Sequence, residues 1–147
     1  MKLLLDTNAY SALLRGHREV VSTVRRADRV LLSAVVVGEL LYGFRHGSRF
    51  EENSARLEAF LKKAAVDPVR VGFTTAERFG RIAASLRGKG RPLPTNDVWI
   101  AAHAMETGAD LLSSDSHFGA VDGLAWIPFS PQDEDTVRER VMQYHSE

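Results

Sequence analysis

Short apolar runs alternate along this chain with longer stretches of helical periodicity. The first run, in "KLLL", stops at Asp6, and "TNAYSALLRG" then carries apolar residues at helical spacing until Gly16. The stretch "RVLLSAVVVGELLYGF" mixes β-branched and helix-forming residues. We interpret it as a strand at residues 30–32 followed by a helix that Ser33 caps.

The second half of the chain continues this alternation. "FEENSARLEAFLKKA" predicts an amphipathic helix whose inward face is Leu57, Phe60, Leu61 and Ala64. "TTAERFGRIAASLRGKG" predicts a helix that begins with a capping box from Thr74 to Glu77. Its predicted inward face is Phe79, Ile82, Ala83 and Leu86. A further helix is predicted between Pro94 and Gly108, and a last one in "SPQDEDTVRERVMQY", with Pro131 at its start.

The remaining apolar segments are short enough to be strands: "DPVRVGF", "ADLLSSD" and "GLAWIPF". Strands that alternate with helices are typical of parallel βαβ units. We therefore predict an α/β fold, a three-layer α/β/α sandwich with a mostly parallel central sheet, formed as one domain over residues 1–147. Ligands of such sheets bind outside the carboxyl ends of the strands, which is where Asp6 and Asp115 are expected.

Composition restricts the chemistry open to this chain. Lys plus Arg and Asp plus Glu both number 19, so the formal net charge is zero and nucleic acid would have to bind a local patch. The chain has no Cys, so any metal would be held by oxygen or imidazole. The sequence shows neither a bilayer-spanning apolar run nor the apolar core of a signal peptide, so we expect a soluble, cytoplasmic protein.

Asp6 and Glu39 are the first two acids in unusual positions. Asp6 ends the first predicted strand, where it is either a helix cap or part of a site. Glu39 is the only charge between Ser33 and Phe44. On a mostly buried helix such a carboxylate must be paired or bound to a cation; a buried ion pair with an arginine is the alternative to a site.

Asp97 and Asp115 are the other two. Asp97 lies in the first turn of its predicted helix, in line with the small, apolar face that should pack on the sheet; a favourable dipole interaction of about 0.3–1 kcal/mol would alone explain it. Asp115 ends "DLLSSD", where ordinary turn chemistry is the alternative.

Taken together, the four acids favour a shared site. Carboxylates that crowd at one sheet edge repel each other, and some become protonated unless a cation lies between them. An all-oxygen donor set fits Mg²⁺ or Mn²⁺ better than Zn²⁺. A cation held in this way binds phosphate, activates water and stabilises a leaving oxygen, which points to phosphodiester hydrolysis.

Three blocks of the sequence, "LLLDTN", "SAVVVGELLYG" and "TNDVWIAAHAMETGADLLSSDSHF", resemble the signature blocks of PIN domains, and the length is similar to that of VapC-type toxins. The resemblance implies the same three-layer fold and a metal-dependent endoribonuclease that is the toxin of a type II toxin–antitoxin pair. By this resemblance the catalytic acids are Asp6, Glu39, Asp97 and Asp115. Asp6, Asp97 and Asp115 match metal ligands.

The resemblance extends to supporting residues and partners. Thr7, Asn8 and Ser114 match polar residues that support the acids, with Ser114 where many relatives have Thr. His117 stands at a variable position and receives no role. The family also implies a homodimer and a VapB-type antitoxin that blocks the site and contacts operator DNA, so that the toxin meets this DNA only indirectly.

The loop "RGKGRPLPTND" carries three cations just before Asp97. They are candidates for substrate phosphate contacts, although a solvated loop is the alternative. These cations are Arg87, Lys89 and Arg91.

Rival functions fit the sequence less well. Aspartyl phosphotransfer of the haloacid dehalogenase kind needs a second acid where Asn8 stands, and receiver domains need an acid pair and a late Lys that are missing here. Nucleases acting on DNA or flap structures share such an acid cluster but usually carry additional elements. A degenerate PIN fold that only binds RNA or protein is the other alternative, against which the retention of all four acids argues.

Overall fold

The computed structural model describes residues 1–131, so the predicted last helix lies outside the described residues apart from its first position, Pro131. The helices are α1 (Thr7–Leu14), α2 (Arg18–Arg26), α3 (Ala34–His46), α4 (Phe50–Leu61), α5 (Phe73–Gly88) and α6 (Thr95–Thr107). The strands are β1 (Lys2–Leu5), β2 (Arg29–Ser33), β3 (Val66–Val69), β4 (Asp110–Ser113) and β5 (Trp126–Pro128). A 3₁₀ helix spans Ser116–Ala120.

Over the described residues the strands form one sheet in the order β3-β2-β1-β4-β5. Every neighbouring pair is parallel, so the predicted α/β class is confirmed. The chain moves from β1 to β2 and β3 on one side, then crosses back to place β4 on the other side of β1. The carboxyl end of β1 therefore lies at a topological switch point, where open sheets of this kind bind their ligands.

The centre of the sheet is covered on both faces. Leu3, Leu4 and Leu5 of β1 are all fully buried. Because successive strand residues point to opposite faces, apolar side chains must pack against both faces of this strand. Parallel sheets require this double cover. No helix among residues 1–131 has the length and apolar character needed to cross a membrane.

Most helix boundaries follow the sequence signals. The Ser33 hydroxyl accepts the Val35 N–H at 3.1 Å and caps α3 as predicted. Helix α6 begins directly after Pro94 and ends at Gly108, whose φ of 69° lies in the left-handed region that glycine tolerates.

Three local predictions are wrong. The strand predicted over "DPVRVGF" ends at Val69, and Phe73 already belongs to α5. The cap of α5 is Gly72 rather than Thr74, and Thr75 at the third helical position accepts the Gly72 N–H at 3.0 Å. The capping pattern was therefore read two residues too late. Helix α4 ends before Ala64, which is exposed and takes no part in the predicted inward face.

His103 is a fully buried polar residue that joins three elements. Its Nδ1 lies 2.8 Å from the hydroxyl of Ser33, the last residue of β2, and its Nε2 lies 3.1 Å from the Arg70 carbonyl after β3. All partners are satisfied when Nε2–H donates to Arg70 and Nδ1 accepts from Ser33. Burial lowers the pKa of His103 below 6.5, against the Arg70 hydrogen bond and the Glu106 charge. Neutral His103 thus fixes the start of α3 relative to α6.

His103→Gln is expected to cost more stability near neutral pH than in acid. Because the folded-state pKa is depressed below 6.5, the contribution of the wild-type imidazole is complete above that pH and is lost as pH falls through the folded-state pKa. Urea denaturation at about pH 7.5 and about pH 5 measures this difference. The control is His46→Gln at an exposed position, whose cost in free energy of unfolding should not differ in this way between the two pH values. An equal cost of His103→Gln at both pH values would contradict the assignment.

Candidate active site

The four acids singled out in the sequence line one cavity at the carboxyl edge of the sheet. The cavity has a volume of about 200 Å³. Its lining comprises Asp6, Thr7, Asn8, Glu39, Asp97, Ile100 and Asp115. Residues separated by more than 100 positions are brought together because β1 and β4 are parallel neighbours and end at the same edge.

Asp6 is both a helix cap and a member of this cluster, so the two interpretations of the sequence are compatible. Its Oδ1 accepts the Ala9 N–H at 2.8 Å and caps α1. Its Oδ2 accepts the Ser113 hydroxyl at 2.5 Å. With only 5% of its surface exposed, the carboxylate is held rigidly from two sides while it faces the cavity.

Glu39 reaches the cavity from α3 and is only partly buried. Its Oε1 accepts the Thr7 hydroxyl at 3.0 Å. Within residues 1–131 it forms no ion pair, so the alternative of a buried pair with an arginine is wrong. The expectation of a mostly buried helix also fails, since Tyr42 on α3 is 68% exposed. Glu39 therefore has access to water and one hydroxyl partner, Thr7.

Asp97 and Asp115 close the cavity from α6 and from the loop after β4. Asp97 is the third residue of α6, where the helix dipole favours a negative charge. Asp115 caps the 3₁₀ helix, and its Oδ1 accepts the His117 N–H at 2.9 Å and lies 2.7 Å from His117 Nδ1. Both acids thus combine local helix capping or dipole stabilisation with a position on the cavity wall.

The cluster shifts the proton affinity of its members. Burial raises the pKa of Asp6 to about 6, with the charges of Asp115 and Glu39 adding to the effect and the hydrogen bonds from Ser113 and Ala9 opposing it. Burial also raises the pKa of Asp97 to about 6, reinforced by Asp115, Glu39 and Asp6 and opposed by His117. Without a cation nearby, these two carboxylates are therefore partly protonated at about pH 6.

The donor set fits an oxygen-preferring divalent cation. Among residues 1–131, no three acidic or histidine side chains converge closely enough to enclose a metal ion by themselves. The carboxylates instead surround a small space that has room for water. Mg²⁺ usually keeps several waters and takes one or two carboxylates rather than a closed protein cage, so an open cavity lined by carboxylates is compatible with a hydrated divalent cation.

Sequence reasoning placed the supporting hydroxyl one residue too late. Ser113, not Ser114, donates to Asp6 and accepts the Asp115 N–H at 3.0 Å. Side chains alternate along a strand, so adjacent serines point to opposite sides, and Ser113 at the end of β4 is fully buried beside Asp6. In the sequence, this arrangement is indicated by the two-residue spacing between Ser113 and Asp115, which places both side chains on the same side of the chain. Thr7 and Asn8, the other predicted supporting residues, do line the cavity.

The three cations of the predicted substrate loop differ in their surroundings. Arg87 is exposed in the last turn of α5. Lys89 Nζ lies 2.6 Å from Asp122 Oδ1 and donates to the Ala120 carbonyl at 3.0 Å. Arg91 lines a groove together with His117. The structure therefore assigns Lys89 to an ion pair and places Arg91 in a groove that also contains His117, the hydrogen-bond partner of Asp115.

Comparison with known proteins places this architecture in a wider context. The family model described as "PIN domain" matches residues 3–124. A curated relative, "Ribonuclease VapC2" from Haemophilus influenzae, is 33% identical over 116 residues, which cover 78% of this chain and 86% of the relative.

Solved structures show the same fold. VapBC-1 from nontypeable Haemophilus influenzae matches with a TM-score of 0.78 and 26% identity, covering 87% of this chain and 98% of that chain. VapBC-5 from Mycobacterium tuberculosis, described as a member of the VapBC family of toxin-antitoxin systems, matches with a TM-score of 0.64 and 25% identity, covering 88% and 98% of the two chains.

Asp97→Asn is expected to stabilise the metal-free protein at alkaline pH. The folded-state pKa of Asp97 is about 6 and exceeds the ordinary 3.8. The free energy of unfolding of the wild type therefore decreases as pH rises between these values. At about 1.4 kcal/mol per pKa unit, reduced for solvent screening at this half-buried position, the gain is about 1 to 2 kcal/mol. Urea denaturation in a metal chelator at about pH 8 and about pH 3.5 measures it.

Asp110→Asn, at the opposite end of β4, is the matched control and should show no comparable gain at high pH. A loss of stability in Asp97→Asn that is the same at both pH values would contradict the proposed repulsion among the acids.

Proposed function

The chain belongs to the PIN domain family, and from this premise we propose that it is a metal-dependent endoribonuclease, the toxin of a type II toxin–antitoxin pair. The observation that carries the proposal is the convergence of Asp6, Glu39, Asp97 and Asp115 on one cavity at the switch point of the sheet. The curated relative named as a ribonuclease supports the activity. The structural neighbour described as a toxin-antitoxin system supports the biological role.

The proposed reaction is hydrolysis of a phosphodiester bond within an RNA chain. Asp6, Asp97 and Asp115 would hold Mg²⁺ or Mn²⁺, which supplies positive charge for the phosphate and lowers the pKa of an attacking water. Ser113 keeps the Asp6 carboxylate in place, and Asp115 is oriented by its own hydrogen bonds to Ser113 and His117.

Glu39 is the acid best suited to act on water in this proposal. It is partly exposed and contacts Thr7 through one carboxylate oxygen. The other oxygen is available to accept a hydrogen bond from a water in the cavity and to orient it toward the phosphate. A water held in this way would form a new bond to phosphorus as the bond from phosphorus to the leaving ribose oxygen breaks. The proton that the water loses would pass through the carboxylate to solvent, and solvent would supply the proton that the leaving oxygen takes up.

Protein partners are part of the proposal. A VapB-type antitoxin that covers the site is the first proposed partner, and the similarity to VapBC-1 and VapBC-5 supports a partner of this kind. Exposed aromatic side chains also favour protein contacts: Tyr42 on α3 is 68% exposed and Phe73 at the start of α5 is 97% exposed. The antitoxin and a second copy of this chain, in the expected homodimer, are the proposed partners, and the cytoplasm is the proposed place of action.

Asp6→Asn and Asp97→Asn are each expected to retain the fold and to abolish RNA cleavage and growth arrest. Each change removes one carboxylate charge from the cavity and weakens the hold on the cation. Cleavage of a mixed RNA substrate with added Mg²⁺ or Mn²⁺, with circular dichroism as the folding control, measures the effect. Full ribonuclease activity of purified Asp97→Asn protein would overturn the assignment, and an inactive wild type that still binds RNA would favour the degenerate binding module.

Adjacent serines provide a matched pair of variants. Ser113→Ala is expected to reduce the cleavage rate at least about 10-fold, because it removes the hydroxyl that donates to Asp6 and accepts from Asp115, a misplacement of the kind that costs about 100-fold in other enzymes. Ser114→Ala should stay near the wild-type rate. The opposite ranking of the two variants would show that Ser114 supports the site after all.

A further inference from the structure

A groove of about 660 Å³ lies directly beside the acid cavity. One wall is the loop at Gly90–Leu93, between α5 and α6, and the other is the 3₁₀ helix. His117 belongs to the groove wall and contacts Asp115 of the acid cavity at 2.7 Å. A molecule seated in the groove therefore has one end at the proposed reaction site.

Among residues 1–131, Arg91 is the one Lys or Arg that lines the groove, and it is free to meet a phosphate. Arg91 makes no side-chain hydrogen bond or ion pair with any residue between 1 and 131, and it is exposed on the groove wall. Lys89, by contrast, is engaged by Asp122 and the Ala120 carbonyl. Lys89 thus joins the two walls and sets their separation, whereas Arg91 offers its charge to the groove.

The groove also has one exposed flat ring. The His117 side chain is 77% exposed, yet its Nδ1 is held 2.7 Å from Asp115. This hydrogen bond fixes the orientation of the imidazole and leaves its faces accessible. Pro92 and Leu93 on the opposite wall add apolar surface, so the groove offers both a stacking surface and a phosphate contact.

We infer that this groove holds a segment of unpaired RNA adjacent to the bond that is cleaved, with Arg91 contacting a backbone phosphate and a base stacked on His117. The inference rests on the proposed ribonuclease function. A positively charged groove with flat side chains is the usual way in which proteins bind single strands. Double-stranded RNA keeps its bases inside the helix and would offer none to His117.

The first test measures RNA binding without cleavage. In full-length Asp97→Asn protein without metal, Arg91→Ala is expected to weaken binding of a short unpaired RNA oligonucleotide. It should also reduce the slope of log affinity against log salt by about 0.7, the value for one phosphate contact on a single strand. Arg91→Lys should retain the slope. Arg26→Ala, at the end of α2 that leads into the opposite edge of the sheet, is the charge-matched control and should leave it unchanged.

The second test separates stacking from the contact with Asp115. In the same assay His117→Ala should weaken binding at least about 5-fold, the smallest loss usual for one stacked base, whereas His117→Phe should bind like the parent. Both variants lose the side-chain hydrogen bond to Asp115 and keep the backbone one, so only the ring differs between them. Equal weakening by Ala and Phe would overturn the stacking role.

The outcomes distinguish this inference from the proposed function. Equal salt slopes for Arg91→Ala and Arg26→Ala, or tighter binding of duplex than of unpaired RNA, would overturn the inference even if the wild type cleaves RNA. Normal binding effects together with no cleavage by the wild type would contradict the nuclease proposal and leave the groove assignment intact.

Discussion

Burial of carboxylates that the fold brings together, reinforced by their mutual repulsion, is the constraint on which the site depends. Asp6 and Asp97 both have pKa values raised to about 6 by burial and by the neighbouring acids. A folded protein does not gain stability from such an arrangement. This loss of stability is understandable if a cation neutralises the acids in the active protein. Functional sites commonly lower the stability of a fold, and the rest of the structure must offset that loss.

The sheet topology creates this concentration of charge. β1 lies between β2 and β4, and all three are parallel. The residues that follow these strands therefore meet at one edge, and the helices that start there present their positive ends. Asp6 caps α1, Asp97 occupies the first turn of α6 and Asp115 caps the 3₁₀ helix. Each acid has a local structural role as well as a place in the cluster.

The sequence allowed the acids to be identified but not all of their partners. Asp6 and Asp115 could be placed because apolar runs that stop at an acid predict strand ends in a parallel sheet. To choose between Ser113 and Ser114, one must know which residues of β4 face the site. The alternation of side chains over only four residues defines this poorly. The hydroxyl partner of Glu39 depends on the relative position of α1 and α3, a tertiary property that neither segment encodes alone.

Buried and paired polar groups escaped sequence analysis for a related reason. His103 lies on the stripe of α6 that also carries the partly buried Trp99, and only its contacts with Ser33 and the Arg70 carbonyl show that His103 itself is buried. In the sequence Lys89 and Arg91 are equivalent loop cations, and only the fold places Asp122, which follows the 3₁₀ helix, beside Lys89. Contacts between distant segments thus decided which charges are free.

Calorimetric titration of the metal-free protein with Mn²⁺ or Mg²⁺, in buffers of different ionisation enthalpy, tests the central claim most directly. At about pH 6, where Asp6 and Asp97 are partly protonated, binding of one ion should release about one proton, and the release should decline toward about pH 8. Asp97→Asn should weaken the binding. No uptake of either ion by active protein, or uptake that releases no proton and is unaffected by Asp97→Asn, would contradict the account.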